Sequence, residues 1–196
     1  GEDIGSYVRV LTKVFGVVSV SPSIRVSLKL SEVRKAVVEV AEELLNPGDS
    51  FEVRVHRANK KYPLTSKELE NLLGAEVLSR VPGLRVDLEH PDRSIYVEVR
   101  DDASYIYTDV FEGPDGLPYG VEGKVVALVS GGVDSAIATW MMMKRGCYIR
   151  PIYFDNYPYL PKEMINKIHK LISKLREYDP RKNYYYYIVP HGENLK

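Results

Sequence analysis

The stretch Lys124-Val125-Val126-Ala127-Leu128-Val129, followed by Ser130-Gly131-Gly132-Val133-Asp134-Ser135, decides how the second half of the chain folds. Five apolar residues in a row after Lys124 fit a parallel strand buried on both faces. The small polar run after it breaks the strand. A helix is expected from Ser135 to Arg145, with Gly146 as its C-cap. The run therefore sits where a parallel strand meets its helix, at the carboxyl edge of a sheet, where such folds bind ligands. Gly131 and Gly132 carry no side chains, so the backbone can turn sharply and approach phosphate oxygens. The unpaired N–H groups and positive dipole end of the helix face the same point. Ser130 and Ser135 add hydroxyls. Asp134 repels a bare phosphate, so it either orients the loop or helps hold magnesium. The run is neither Gly-x-x-x-x-Gly-Lys nor Gly-x-Gly-x-x-Gly. A tight turn without a ligand is the alternative at this point.

Working outward, Tyr148 to Asp155 reads as the next strand and Pro161 to Tyr178 as a helix with Ile165, Ile168, Ile172 and Leu175 on one face. Tyr184 to Val189 reads as a third strand. Alternating strands and helices imply a doubly wound parallel sheet of the α/β class. Three strands make a thin sheet, so this domain, residues 124–196, is expected to continue past Lys196. Residues 113–123, within the Gly- and Pro-rich run EGPDGLPYGVEG, read as a linker.

Upstream the pattern is α+β. Ser31 to Asn46 repeats Val33, Ala36, Val37, Val40, Ala41, Leu44 and Leu45 at helical spacing, and Asn46-Pro47-Gly48 stops it. Phe51, Val53 and Val55 alternate with Glu52, Arg54 and His56 as a half-buried strand does. Thr65 and Glu68 have capping-box spacing and open a short helix through Leu69, Leu72 and Leu73. Leu84-Val86-Leu88, Ile95-Val97-Val99 and Ala103 to Phe111 read as further strands. Such strands suggest a mixed or antiparallel sheet covered on one side by helices. Arg54, Arg57, Lys60 and Lys61 form the densest basic stretch, fit either for RNA phosphates or for a solvated surface.

The chain has 196 residues, 44% hydrophobic and 28% charged, with 27 basic and 27 acidic residues. A net charge of zero means that nucleic-acid contact has to come from a local patch. No apolar run approaches the roughly 20 residues that span a bilayer. Gly1-Glu2-Asp3 lacks the basic and apolar blocks of a signal peptide. One cysteine, Cys147, rules out an internal disulfide and fits a cytoplasmic setting. It reads as a small core residue. The four histidines are scattered, with no zinc-like spacing.

An ordered series of motifs resembles the ThiI family of tRNA 4-thiouridine synthetases. His56-Arg57-Ala-Asn-Lys60-Lys61-Tyr62-Pro63, Leu72-Leu73-Gly74-Ala75, Val86-Asp87-Leu88-Glu89-His90-Pro91-Asp92 and Ile95-Tyr96-Val97-Glu98-Val99-Arg100 look like a THUMP domain, residues 28–112. Gly116-Leu117-Pro118-Tyr119-Gly120-Val121-Glu122-Gly123-Lys124 is similar to the family's lead into its loop. Ser130 to Ser135 resembles the PP-loop of ATP pyrophosphatases, of the adenine nucleotide alpha hydrolase type. Met142-Met143-Lys144-Arg145-Gly146 also resembles that family. Phe15-Gly16-Val17 with Ser21-Pro22 resembles the end of a ferredoxin-like domain, here partial at residues 1–27.

The resemblance implies ATP and Mg2+ as cofactors. It assigns ATP to Leu128, Val129, Ser130, Gly131, Gly132, Val133, Asp134, Ser135, Tyr153 and Phe154. Asp134 and Ser135 would be catalytic. It implies tRNA on Arg54, Arg57, Lys60 and Lys61, adenylation of the uridine at position eight, and displacement of AMP by sulfur. Some members also supply sulfur for the thiamine thiazole. Three features depart from the family pattern: Ala136 stands for a common Pro, Tyr153 and Asp155 replace an expected His and small residue, and the late catalytic cysteine has no counterpart. A separate donor, such as a cysteine desulfurase or carrier protein, is then required, and a homodimer remains open. Two alternatives are a PP-loop synthetase acting on a small molecule and a non-catalytic RNA-binding protein with a vestigial loop.

Overall fold

The computed structural model describes residues 3–181 and 183–195. In chain order the elements are α1 (Ile4–Leu11), β1 (Ser19–Val20), β2 (Ile24–Val26), α2 (Leu30–Leu44), β3 (Ser50–Arg57), α3 (Ser66–Arg80), β4 (Arg85–Val86), β5 (Arg93–Val99), β6 (Ser104–Tyr107) and β7 (Phe111–Glu112). There follow β8 (Lys124–Leu128), α4 (Val133–Lys144), β9 (Tyr148–Asp155), α5 (Met164–Arg176), β10 (Tyr187–Pro190) and a 3-10 turn at Gly192–Leu195. They form two compact units, residues 21–110 and residues 1–20 with 111–196.

The first unit is a five-stranded mixed sheet in the order β2-β6-β5-β3-β4. α2 buries Val33, Ala36, Val37, Val40 and Ala41, the stripe that its sequence spacing defines. Each fully buried valine of that stripe contributes about 1.5–3 kcal/mol relative to exposure. α3 starts at the Thr65 capping box, where the hydroxyl accepts from Glu68 N and the Glu68 carboxylate accepts from Thr65 N at 2.7 Å. The helix runs to Arg80, well beyond the short segment that the leucines mark, and it also buries Val77. Both helices cover one sheet face, packing on Phe51, Val53, Val55, Ile95, Val97, Val99 and Ile106.

Two strand expectations change. Leu84 to Leu88 shrinks to Arg85–Val86, paired only with Ser50 and Phe51, and Val86 and Leu88 stay exposed. Of the three alternating residues only Leu84 packs on the core. Ala103 to Phe111 divides into β6, inside the five-stranded sheet, and β7, which pairs antiparallel with β1.

The second unit is a three-stranded parallel sheet in the order β10-β9-β8. α4 and α5 make successive crossovers in the same direction and so lie on one face. Met143, Ile168, Ile172 and Leu175 from these helices pack with Val129, Ile149 and Tyr153. Among the described residues the other face is open, and Val126 and Leu128 are exposed on it. The expectation that β8 is buried on both faces is thus corrected to one face. Cys147 is buried in this core, as expected. Phe15 joins it against Trp140 and Tyr178, with ring centroids 5.5 and 5.6 Å apart. No helix among the described residues is long and apolar enough to cross a membrane.

Candidate functional site

β8 ends at Leu128, and the chain turns through Ser130-Gly131-Gly132 into α4. No side chain caps the helix, so the N–H groups of its first turn are left for an anion. The loop is braced from within. Ser135 Oγ accepts from Ser130 N at 3.0 Å and donates to the carbonyl of Gly132 at 3.1 Å or of Ser130 at 3.2 Å. Its single proton is therefore committed inside the loop, and the expected role of spare donor becomes that of strut. Ser130 Oγ in turn accepts from Gly132 N at 3.3 Å.

The glycines serve space more than conformation. Gly132 sits at φ −89° and ψ 154°, an extended backbone open to any residue. A Cβ on Gly131, by contrast, would lie 2.5 Å from Met164 Sδ and 3.4 Å from Lys167 Cδ. Asp134 is exposed and has no hydrogen-bond or ion-pair partner among the described residues. Of its two expected roles, orienting the loop has no contact behind it. Among the described residues no cluster of three or more His, Cys, Asp or Glu is arranged for a metal.

Beside the loop lies a cavity of roughly 500 Å³. Leu128, Val129, Ser130, Gly131, Gly132, Tyr153 and Phe154, all expected from sequence, line it. Val133, Asp134 and Ser135 do not. The remaining lining comes from Ile152, Asn156, Leu160, Met164 and Lys167. The pocket is apolar along the sheet, with one cation, Lys167, brought by α5. Phe154 is 40% exposed and meets His191 edge-on at 5.5 Å. His191 Nδ1 is 3.0 Å from Asn156 Oδ1. Tyr153 points the other way, into the helix-side core, where burial pushes its hydroxyl pKa up. A phosphate chain fits the unpaired N–H groups and Lys167, and a planar base fits the apolar floor of Leu128, Ile152 and Phe154.

The basic stretch lies in the other unit. Arg54 and His56 are exposed on the polar sheet face, as their alternation requires. Arg54 Nε donates to Glu52 at 2.6 Å, and that bond holds its pKa above the ordinary value. Lys60 and Lys61 are exposed in the following loop. Arg57 departs from expectation. Its Nη1 donates to the carbonyls of Leu64 at 2.7 Å and Tyr62 at 3.1 Å, so it fastens the loop rather than standing free for phosphate.

Comparison with known proteins agrees with both units. The THUMP domain model matches residues 29–109, and the model of the thiamine biosynthesis protein ThiI matches residues 120–196. The chain joins a THUMP domain to a ThiI-family domain. It is 41% identical over 177 residues to a Moorella thermoacetica protein named "Probable tRNA sulfurtransferase", covering 90% of this chain and 45% of that protein. A Methanothermobacter thermautotrophicus protein of the same name is 39% identical over 182 residues, covering 90% and 46%. The chain thus spans a little under half the length of these curated relatives.

Among solved structures, a crystal structure of a 4-thiouridine synthetase–RNA complex with bound ATP is 33% identical, with a TM-score of 0.78 over 94% of this chain and 48% of that one. A Pyrococcus horikoshii protein gives a TM-score of 0.83 at 28% identity, covering 97% and 62%. The sheet of the THUMP unit and the loop of the ThiI-family unit are therefore the places where function is to be sought.

Proposed function

We propose that the chain is the THUMP and PP-loop portion of an ATP-dependent tRNA sulfurtransferase, which adenylates the uridine at position eight so that sulfur can replace its oxygen. The braced loop at Ser130–Ser135, with an uncapped helix start beside an apolar slot, carries this reading. The relatives named tRNA sulfurtransferase and the ATP-bound 4-thiouridine synthetase support it.

In this reading the triphosphate lies against the N–H groups of Gly131, Val133 and Asp134, with Lys167 alongside. The adenine lies on Leu128, Ile152 and Phe154. A uridine carbonyl oxygen is a very poor leaving group, and transfer of AMP to it makes it a good one. Fixed N–H donors stabilise the charge that develops on departing pyrophosphate, each worth about 3–4 kcal/mol in comparable sites. Asp134, without a partner among the described residues, holds Mg2+ in this proposal, an ion that commonly takes one or two carboxylates and completes its shell with phosphates and water. Ser135 acts by holding the loop.

Arg54, Lys60 and Lys61 contact tRNA phosphates. Cys147 is buried in the core and does not receive the sulfur, which in this proposal is supplied by a separate donor such as a cysteine desulfurase or carrier protein, in the cytoplasm. ATP–pyrophosphate exchange by the full-length protein, with and without tRNA, tests the reading. Exchange that requires tRNA, or AMP release that requires tRNA once a sulfur donor is supplied, supports it. Turnover driven by a small molecule without tRNA sinks it.

A further inference from the structure

Two residues that line the cavity beside the loop, Phe154 and Asn156, are held by one imidazole. β9 and β10 run parallel, with Val189 beside Phe154 and Pro190 beside Asp155. The next residue, His191, donates its backbone N–H to the Asp155 carbonyl at 2.8 Å. Its ring meets Phe154 edge-on, with centroids 5.5 Å apart. Its Nδ1 lies 3.0 Å from Asn156 Oδ1. The backbone around Asn156 is fixed as well. The Asp155 carboxylate accepts from Tyr157 N at 3.2 Å, and the Asn156 carbonyl accepts from Leu160 N at 3.1 Å. The turn after His191 presses on the same stretch, so closely that a Cβ on Gly192 would collide with the Tyr157 carbonyl.

A carboxamide oxygen can only accept, so His191 Nδ1 is the donor in this pair. The bond occupies the oxygen of Asn156 and leaves its nitrogen, which has no acceptor among the described residues. A carboxamide that turns freely offers a ligand either a donor or an acceptor. Held by His191, Asn156 offers its N–H groups. The ligand that matches is planar, to lie on Leu128, Ile152 and Phe154, and carries an acceptor at its rim. Adenine has such acceptors in its ring nitrogens, whereas its amino group is a donor. A polar group built to meet a ligand atom discriminates against the analogue that lacks that atom, because the group is then left unpaired.

We infer that Asn156 donates a hydrogen bond to a ring nitrogen of adenine, and that His191 is the positioning residue that sets its amide and braces the ring of Phe154 beside it. This rests on the reading of the loop as an ATP site and names the side chain that recognises the base.

The test titrates the full-length protein with ATP and with its 1-deaza, 3-deaza and 7-deaza analogues, each of which replaces one ring nitrogen by C–H. The wild type is expected to bind at least one analogue about tenfold more weakly than ATP. Asn156→Ala is expected to bind ATP and that analogue alike, both as weakly as the wild type binds the analogue. Asn156→Asp, of the same shape but without the donor, should bind ATP no better than the alanine variant. His191→Phe keeps a ring against Phe154 but has no donor for the amide, and it should lose most of the discrimination. His191→Asn, whose amide nitrogen can stand near the place of Nδ1, should keep it. Equal binding of ATP and all three analogues by the wild type, or a preference that persists in Asn156→Ala, overturns the contact while leaving the ATP site standing. Full discrimination in His191→Phe overturns the positioning role. A wild type that binds no ATP removes the ATP reading, and the contact falls with it.

Discussion

The hydroxyl of Ser135, on the first turn of α4, accepts the backbone N–H of Ser130 at 3.0 Å, five residues back. That bond and its partner to the Gly132 carbonyl close the loop on itself. The N–H groups of the helix start are thereby aimed before any anion arrives, which lowers the ordering cost of binding. Ser135→Ala removes both bonds, each worth about 1 kcal/mol. ATP affinity of the full-length protein is expected to fall about tenfold in calorimetry. Ser135→Thr, which keeps the hydroxyl, should bind nearly normally. Equal affinity in the alanine variant would remove the strut.

Gly131 is required for room. Gly131→Ala sets a methyl against Met164 Sδ, and the flexible thioether must swing into the slot. ATP binding is expected to weaken about tenfold, with stability changed by less than about 1 kcal/mol. Met164→Ala in the same chain should return much of the affinity. A double variant as weak as the single one would show that backbone shape, not space, is the constraint.

Among the described residues Lys60 and Lys61 have no ion-pair partner, whereas Arg57 is bound to two carbonyls. Lys60→Ala with Lys61→Ala should leave the melting temperature unchanged and reduce the slope of log affinity against log salt by about 1.4 for single-stranded RNA. Arg57→Ala should instead lower stability by about 1–3 kcal/mol, through loss of the hydrogen bonds that hold the loop. Fluorescence titrations at several salt concentrations, with thermal melts, separate the two effects.

Glu177 adds an acid-sensitive contact to the second unit. Hydrogen bonds from Lys13 and Lys174 hold its carboxyl down, from 4.5 to about 2. The folded value lies below the unfolded one, so the stabilisation is present above pH 4.5 and is lost as pH falls toward 2. Glu177→Gln should flatten the fall in melting temperature over that window and change little at lower pH. An unchanged acid limb would clear the pair of that role.

Much of this was legible because local chemistry dictates it. The Thr65 and Glu68 spacing set the start of α3, and β9 spans the residues that its apolar run marks. The loop stood out because a strand, two glycines and a helix start leave little choice of backbone. What escaped depends on neighbours distant in sequence. Met164 and Lys167 reach the loop from α5, and no local pattern marks them. The exposure of Val126 and Leu128 follows from both crossovers falling on one face, which strand order decides. Asn156 and His191 become a pair only once β9 and β10 are in register. Arg57 looked like its basic neighbours because sequence does not show which carbonyls a guanidinium will find.

AMP release by the full-length protein supplied with a sulfur donor, measured with and without tRNA in the wild type and in Asp134→Ala, tests the loop as an ATP site most directly. The wild type should release AMP only when tRNA is present, and Asp134→Ala should release almost none while holding tRNA as tightly. Undiminished AMP release by Asp134→Ala would contradict the assignment of ATP to this turn.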